Sequence, residues 1–313
     1  MHLLSEKILI LDGAFGTMLQ PLKLAEDDFR GQRFVNHRVD LRGNYDLLTL
    51  TQPDIIRDVY EQYLQAGADI ITANTFNSNR LSQSDYKTEH LVPEMNREAV
   101  AIAKKLATQY STDDKPRFVA GTLGPTGKTA SMSPDVNNPA LRAVTFDELV
   151  ATYAEQADAL MEGGADILLC ETVFDTLNVK AALFAISRVF DWNRRRIPVM
   201  VSATVADASG RMLCGQTIEA FLYSVIHFPL MSVGINCALG AKQIRPYLEE
   251  LSRKAPFHVS VHPNAGLPDQ FGAYEQSSDE MAVYIRDFIE NSLVNIVGGC
   301  CGTTPAHISQ SNP

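Results

Sequence analysis

The sequence predicts an α/β fold, a (β/α)8 TIM barrel with a short or incomplete final helix. Three observations predict it. Eight short apolar runs recur along the chain, several nearly continuous in Ile, Val, Leu and Ala, as strands buried on both faces should be. Helical patterns lie between them; strands alternating with helices build a parallel sheet, and a count of eight favours closure. The residues able to do chemistry fall where the runs end, the place where barrel enzymes assemble their sites. No linker or low-complexity tract interrupts the pattern, so residues 1–313 read as a single domain.

The first run, Ile8–Phe15, passes through Asp12 into the tight turn Asp12-Gly-Ala-Phe-Gly16-Thr, for which a plain Asx-turn is the alternative to a binding role. A long connection, Gly16 to Gln52, follows. Gln52-Pro53 then opens a helix that Gly67 ends. The second run, Ala68–Phe76, ends near Asn74, and the third is Arg117–Gly124. Another long connection runs from Pro125 to Val144. Both long connections follow a strand, so both should lie over the carboxyl-end face, and long ordered loops are usually functional.

The clearest helix covers Phe146–Met161, with Phe146, Leu149, Val150, Tyr153, Ala157, Leu160 and Met161 on one stripe. Thr145 and Glu148 offer a capping box at its start, and Gly163 closes it. The fourth run, Ala165–Val173, bears Glu171; the fifth is Pro198–Val205. The sixth, Met231–Ala238, ends in Cys237, and the seventh, Phe257–Gly266, bears Asn264. Ser277 and Glu280 repeat the capping signature before a Met281–Ile289 helix. The eighth run, Val294–Gly302, ends in Cys300 and Cys301. Thr304-Pro305 looks like one more helix start, but Ser309-Gln-Ser-Asn-Pro313 is a poor helix former, so the closing helix is short or missing. Ala66-Gly-Ala-Asp-Ile70 and Gly163-Gly-Ala-Asp-Ile167 form a faint internal echo, each carrying a helix end into a strand.

The chain of 313 residues carries 27 basic and 37 acidic residues, a formal net charge of −10. Arg194-Arg195-Arg196 is a single short basic run, so nucleic-acid binding is disfavoured. No apolar stretch approaches the length of a membrane span, and the opening Met-His-Leu-Leu-Ser-Glu-Lys lacks the apolar segment of a signal peptide. Five cysteines, an odd number in a chain this long, do not read as a disulfide framework. A cytoplasmic, reducing compartment fits, because there the thiols stay available for metal.

Cys237, Cys300 and Cys301 concentrate the chemistry. Their strand ends face one mouth, and three thiolates meeting there make a zinc site with an open fourth position. Three negative charges outweigh Zn²⁺, which weakens its Lewis acidity but keeps a fourth bound sulfur electron-rich. That favours alkyl transfer to sulfur over water activation, for which His or carboxylate ligands are usual. A vicinal disulfide is the other use of an adjacent cysteine pair. Cys170 and Cys214 read as small core hydrophobes. His258 and His262 lie four apart on a strand and read as shaping the loop.

The segment Gly121–Thr129 imitates a Walker A loop, but five residues separate its outer glycines where the motif needs four. Gly298–Gly302 before a helix start could cradle phosphate, which accounts for the glycines but not for the paired cysteines. A phosphate-binding lyase or isomerase and a non-catalytic zinc-binding scaffold therefore stand as readings of other classes. Asp12 and Glu171 weigh against the scaffold, because a storage site has no need of acids beside its metal.

Four stretches resemble the zinc-dependent homocysteine S-methyltransferase family: Leu11-Asp-Gly-Ala-Phe-Gly-Thr-Met18, Ala66-Gly-Ala-Asp-Ile-Ile-Thr-Ala-Asn-Thr-Phe76, Gly234-Ile-Asn-Cys-Ala-Leu-Gly240 and Val297-Gly-Gly-Cys-Cys-Gly-Thr-Thr-Pro305. Further stretches are similar to the homocysteine-binding module of cobalamin-dependent methionine synthases: Phe29–Phe34, Gly43–Leu48, Ser133–Val136, Glu171–Asn178, His262–Pro268 and Gly302–His307. The resemblance implies a (β/α)8 barrel whose Zn²⁺ is held by Cys237, Cys300 and Cys301, with Asn264 as the fourth ligand before homocysteine arrives. By the same analogy Asp12 and Glu171 hold the amino group of L-homocysteine, with Asn74 and Gly13 as further substrate contacts.

The implied reaction is methyl transfer to the homocysteine thiol, giving L-methionine. Methylcobalamin on a partner domain or subunit is the donor, and a folate module is a further partner by analogy. Stand-alone relatives that use betaine or S-methylmethionine are the alternative. No Asp-x-His-x-x-Gly segment that could ligate cobalamin occurs in the chain. The expectation is therefore a piece of a longer enzyme, or a subunit that meets a separate corrinoid protein.

Overall fold

The computed structural model describes residues 2–207 and 209–312. Eight strands run Leu9–Ile10 (β1), Ile70–Thr72 (β2), Phe118–Leu123 (β3), Ile167–Val173 (β4), Val199–Ala203 (β5), Ser232–Gly240 (β6), His258–Asn264 (β7) and Ile296–Val297 (β8). They form one sheet in the order β1-β8-β7-β6-β5-β4-β3-β2, and every pairing is parallel. The residues just past β1 close the ring. Leu11 bridges Ile70. The Asp12 N–H donates to the Ile70 carbonyl at 3.0 Å, and the Asp69 N–H to the Ile10 carbonyl at 2.7 Å.

A barrel helix follows each strand, with shorter helices in the connections after β1 and β2: Pro53–Gln65 (α1), Val92–Tyr110 (α2), Phe146–Glu162 (α3), Thr176–Asn193 (α4), Ile218–Val225 (α5), Ala241–Lys254 (α6), Ser278–Glu290 (α7) and Pro305–Gln310 (α8). The last has six residues, so the closing helix is short, as its composition implied. The capping boxes at Thr145 and Ser277 are both formed. Gly163 is the C-cap of α3 but keeps a right-handed conformation; the left-handed residue that ends the helix is Gly164, at φ 97°. Only Gly164, one residue further on, lies beyond the last helical carbonyls, where reversed backbone is needed.

Two apolar layers hold this arrangement together. Leu4, Leu9, Leu11, Ile70, Ala120, Ile167, Leu169, Met200, Met231 and Ile296 fill the lower barrel interior. A larger layer packs the outer strand faces against the helices, with Ile56, Val59, Tyr60, Tyr63 and Leu64 of α1 among its members. Those five recur at three- and four-residue spacing, so α1 lays one stripe on the sheet. Cys170 belongs to this layer, and burial pushes its thiol up to about 12. Cys214 packs against the layer only in part.

Several apolar runs outlast their strands. Phe15 already opens a short helix, Phe15–Leu19, and β8 is two residues long. The runs stay apolar because their ends remain buried, but their backbone leaves the sheet to build turns over the mouth. The long connection after β1 is itself ordered. Arg30 donates to the carbonyls of Phe34, His37 and Val39 at 3.2, 2.7 and 3.0 Å and pairs with Glu26 at 2.6 Å. The 125–144 connection is tied to α4 through Asn178, whose Oδ1 accepts from the Ala130 N–H at 3.0 Å, and through Asp175, which accepts from Ser131.

Asp69 is the polar keystone of ring closure. Its buried carboxylate accepts the Ile10 N–H at 3.0 Å and meets the Lys7 ammonium at 3.0 Å. The Arg117 guanidinium lies 3.8 Å away and donates to the Gly67 carbonyl at 2.9 Å. Replacing Asp69 by Ala leaves a buried N–H and a mostly buried guanidinium short of a partner. Asp69→Ala is expected to cost about 3 kcal/mol of stability, read as a lowered urea midpoint.

Candidate functional site

The three expected sulfurs converge. The Sγ atoms of Cys237, Cys300 and Cys301 all lie within 4.8 Å of one another, and Cys237 and Cys301 are 3.7 Å apart. Metal–sulfur bonds of about 2.3 Å in a tetrahedron place sulfurs about 3.8 Å apart. The trio could therefore hold one tetrahedral ion with a vertex to spare. Cys237 comes from β6 and the pair from the turn after β8, so strand β7 lies between them. That strand ends in Asn264, whose buried Oδ1 has no hydrogen-bond partner among the described residues while its Nδ2 donates to the Tyr274 hydroxyl at 3.5 Å. The orphaned oxygen is the kind of donor a hard or borderline cation would satisfy.

Two strand irregularities aim the side chains. Between β6 and β7, Asn236 faces His262 and Gly240 faces Asn264, so four steps on β6 match two on β7. The extra residues are Cys237 and Ala238, both left-handed at φ 62° and 58°. Between β4 and β5, Cys170 faces Val201 and Val173 faces Ala203, so β4 carries one residue extra. That residue is accommodated at Thr172, left-handed at φ 56°. Bulges re-aim side chains beside sites, and left-handed non-glycine residues persist only where their surroundings impose them.

The thiols share their protons unevenly. Hydrogen bonds from Cys237 and Cys300, with a further one from Tyr274, hold Cys301 as the thiolate, down to about 3. Hydrogen bonding to Cys237 and Cys301, with burial, keeps Cys300 protonated well above the ordinary thiol range. Tyr274 lies so close over the cysteine turn that a Cβ on Gly302, itself at φ +80°, would meet the Tyr274 Cβ at 2.3 Å.

Asp12 and Glu171 border the trio. Asp12 is buried at the β1 end, and its Oδ2 accepts the Thr72 N–H at 2.7 Å. Its carboxylate reaches across to the next strand and makes no Asx-turn with its own loop. Burial raises its pKa, the Thr72 hydrogen bonds oppose that, and the charge of Glu171 adds to it. Burial and then the charge of Cys301 push Glu171 up to about 7. Two acids and a thiolate thus crowd one dry corner, an arrangement suited to receiving a cation.

Gly13 lies against the same corner: a Cβ there would meet the Thr303 hydroxyl at 2.8 Å and the Tyr63 hydroxyl at 2.9 Å. Asn74 is buried, and its Nδ2 donates to the Tyr45 carbonyl at 2.9 Å and to Thr49 at 3.3 Å, holding the first long loop. The reading of His262 as a loop-shaping residue is corrected. It lies within β7, buried, with neither ring nitrogen partnered among the described residues, and burial lowers it to about 4. Strand alternation turns it into the barrel, where the loop cannot reach it.

Sequence reasoning passed over Asn236, Tyr274 and Thr303. Asn236 is fully buried and lies 3.9 Å from Cys300 through its Nδ2. Thr303 donates from its hydroxyl to the Cys300 carbonyl at 2.6 Å and accepts the Ala14 N–H at 3.3 Å, joining the cysteine turn to the Asp12 turn. Asn236 and Thr303 flank the cysteines in the quoted motifs, which was the available signal; nothing local marks Tyr274.

Comparison with known proteins gives one family and one fold. The family described as homocysteine S-methyltransferase matches residues 9–312. The metallated form of the Escherichia coli homocysteine methyltransferase MmuM superposes with a TM-score of 0.76 at 22% identity, covering 99% of this chain and 97% of that one. The oxidized form of MmuM gives a TM-score of 0.75 at 21% identity, over 97% and 94% of the two chains. The apo form gives 0.69 at 21% identity, over 97% and 95%.

The raised pKa of Glu171 has a stability consequence. Its ordinary value is 4.5 and its folded value about 7, so the folded chain holds the proton more tightly. This contribution is fully present below pH 4.5 and is lost as pH rises through 7. In the metal-free protein, Glu171→Gln should match the parent at acid pH and become the more stable by on the order of 2 kcal/mol above pH 7, measured by urea unfolding across pH.

Proposed function

The chain belongs to the homocysteine S-methyltransferase family, and from that premise we propose that it methylates the sulfur of L-homocysteine to give L-methionine, taking the methyl group from methylcobalamin carried on another domain or subunit. The observation that carries this reading is the trio of sulfurs within 4.8 Å of one another beside two acids, Asp12 buried and Glu171 half-buried. One cluster suits a thiol-binding cation and the other suits an ammonium, and homocysteine has one group for each.

Cys237, Cys300 and Cys301 would hold Zn²⁺, and Asn264 Oδ1, a buried acceptor without a partner among the described residues, would complete its shell when substrate is away. Bound zinc supplies Lewis acidity that keeps the substrate sulfur ionised near neutral pH. The chain's own residues do the rest. Asp12 and Glu171 receive the substrate ammonium, whose positive charge offsets the crowding that raises both acids. Gly13 leaves room beside the Asp12 turn, and Asn74 acts through the loop it anchors.

The substrate thiolate would then attack the methyl carbon in line. The carbon–cobalt bond of the donor breaks as the carbon–sulfur bond forms, and its electron pair leaves with the corrinoid as cob(I)alamin. Positioning is the protein's main contribution. The donor reading rests on the Phe29–Phe34, Ser133–Val136 and Glu171–Asn178 stretches and their likeness to methionine synthase modules. A folate module would regenerate the donor by the same analogy. Reduced thiols suit a cytoplasmic setting, and no described helix is long and apolar enough to cross a membrane.

Two measurements test the assignment. Methyl transfer to homocysteine is expected with methylcobalamin or a corrinoid protein; turnover with betaine or S-methylmethionine and none with methylcobalamin would overturn the donor, and no turnover with any of them would favour a zinc-binding scaffold. Metal analysis should find about one zinc per chain, lost together with activity in Cys300→Ala and Cys301→Ala. Glu171→Gln should keep its zinc and bind homocysteine roughly tenfold or more weakly.

A further inference from the structure

Asn236 on β6 reaches across to the irregular end of β4. Its Oδ1 accepts the Thr172 N–H at 2.9 Å, and its Nδ2 donates to the Thr172 hydroxyl at 2.9 Å. The same Nδ2 lies 3.9 Å from Cys300 Sγ, and the Asn236 carbonyl accepts from the Thr204 hydroxyl at 3.0 Å. One buried carboxamide therefore grips both polar groups of the left-handed residue that follows Glu171. It also touches a sulfur of the trio, and it immediately precedes the left-handed Cys237.

The consequence of the Thr172 conformation is directional. Cys170 and Val173 both pack outward against the helices. In a regular strand residues 170 and 173 would face opposite ways. Leu169 lies inside the barrel and Cys170 outside it, so alternation turns Glu171 inward, toward Asp12 and Cys301. The left-handed Thr172 absorbs the extra residue immediately after it and so fixes the backbone on the carboxyl side of Glu171. A β-branched residue does not hold that backbone unaided. The two hydrogen bonds it makes with Asn236, one donated by its N–H and one accepted by its hydroxyl, brace it there.

We infer that Asn236 is a positioning residue that fixes the span between Glu171 and the sulfur trio, and that this span selects the amino-thiol substrate by its chain length. The inference rests on the proposed homocysteine reading. In homocysteine two methylenes separate the amino-bearing carbon from sulfur, and in cysteine one. A rigid distance between the ammonium acceptor and the thiol acceptor lets only one of them make both contacts at once. Loosening the Glu171 side of that ruler costs the longer substrate its second contact, whereas the shorter one, held by sulfur alone, loses little.

The test is calorimetric binding of L-homocysteine and L-cysteine to the zinc-loaded chain, with zinc content and circular dichroism measured on each variant. The parent is expected to prefer homocysteine. Asn236→Ala should keep its zinc and weaken homocysteine roughly tenfold or more while changing cysteine by less than about threefold, so the preference narrows. Adding Thr172→Gly should recover part of the loss, because glycine adopts the left-handed conformation without the clamp.

Equal weakening of both amino-thiols, or unchanged homocysteine binding in Asn236→Ala, overturns the inference. Loss of zinc with the fold intact also overturns it, assigning Asn236 to the metal alone. If Asn236→Ala does not fold, Thr172→Val decides: it removes one of the two hydrogen bonds and should narrow the preference several-fold less, and an unchanged ratio overturns the inference. Failure of the parent chain to bind homocysteine at all would instead remove the functional reading on which this one stands.

Discussion

Everything in the mouth of this barrel answers to one electrostatic constraint. Three sulfurs are held within 4.8 Å of one another, and two carboxyl groups lie beside them. Five acidic groups crowded into one half-buried corner do not all ionise together without a cation. The proton distribution follows: Cys301 carries the thiolate, Cys300 keeps its proton, and both Asp12 and Glu171 are raised. Such a corner is relieved by cations, one at the sulfurs and one at the carboxylates. The proposed zinc and the proposed substrate ammonium are those two cations.

Holding that crowd in place requires backbone that a regular sheet does not provide. Parallel strands in register would send Cys237 and Thr172 along fixed alternating directions. Left-handed residues at Thr172, Cys237 and Ala238 break the alternation on two strands. Their cost is met by neighbours: the Asn236 amide, the Thr204 hydroxyl and the dense ladder of β6 with β7. The cysteine turn after β8 is fastened in the same manner, by Thr303 to the Asp12 turn and by Ala265, whose N–H donates to the Cys301 carbonyl at 2.9 Å. Rigidity at the mouth is thus carried by the strand ends of β4, β6 and β8 together, with β7 as the partner between the last two.

The loops above the mouth show a graded fixation. The first long connection is stitched by Arg30 and by Asn74, and the second by Asp175 and Asn178 at the start of α4. Their tips are different: Val136 is 98% exposed, and Phe271 on the β7 loop is 85% exposed. The roots are held by buried polar contacts, and the apolar tips are left in solvent.

Residue type and period were enough to read the eight strands, the intervening helices, the two capping boxes and the short last helix, because each depends on neighbours within a few residues. The three cysteines were legible for a similar reason: paired thiols among glycines at a strand end have little use in a core. The orientation of His262, the true left-handed glycine at 164 and the linking part played by Asn236 were not legible. Each depends on which residue faces which across strands tens of positions apart, as Asn236 reaches Thr172 and Cys300. The sequence by itself determined the barrel and the chemical character of its mouth; only the tertiary structure decided the bulges and the register, because a bulge is stabilised by its partner strand and leaves no period of its own in the chain.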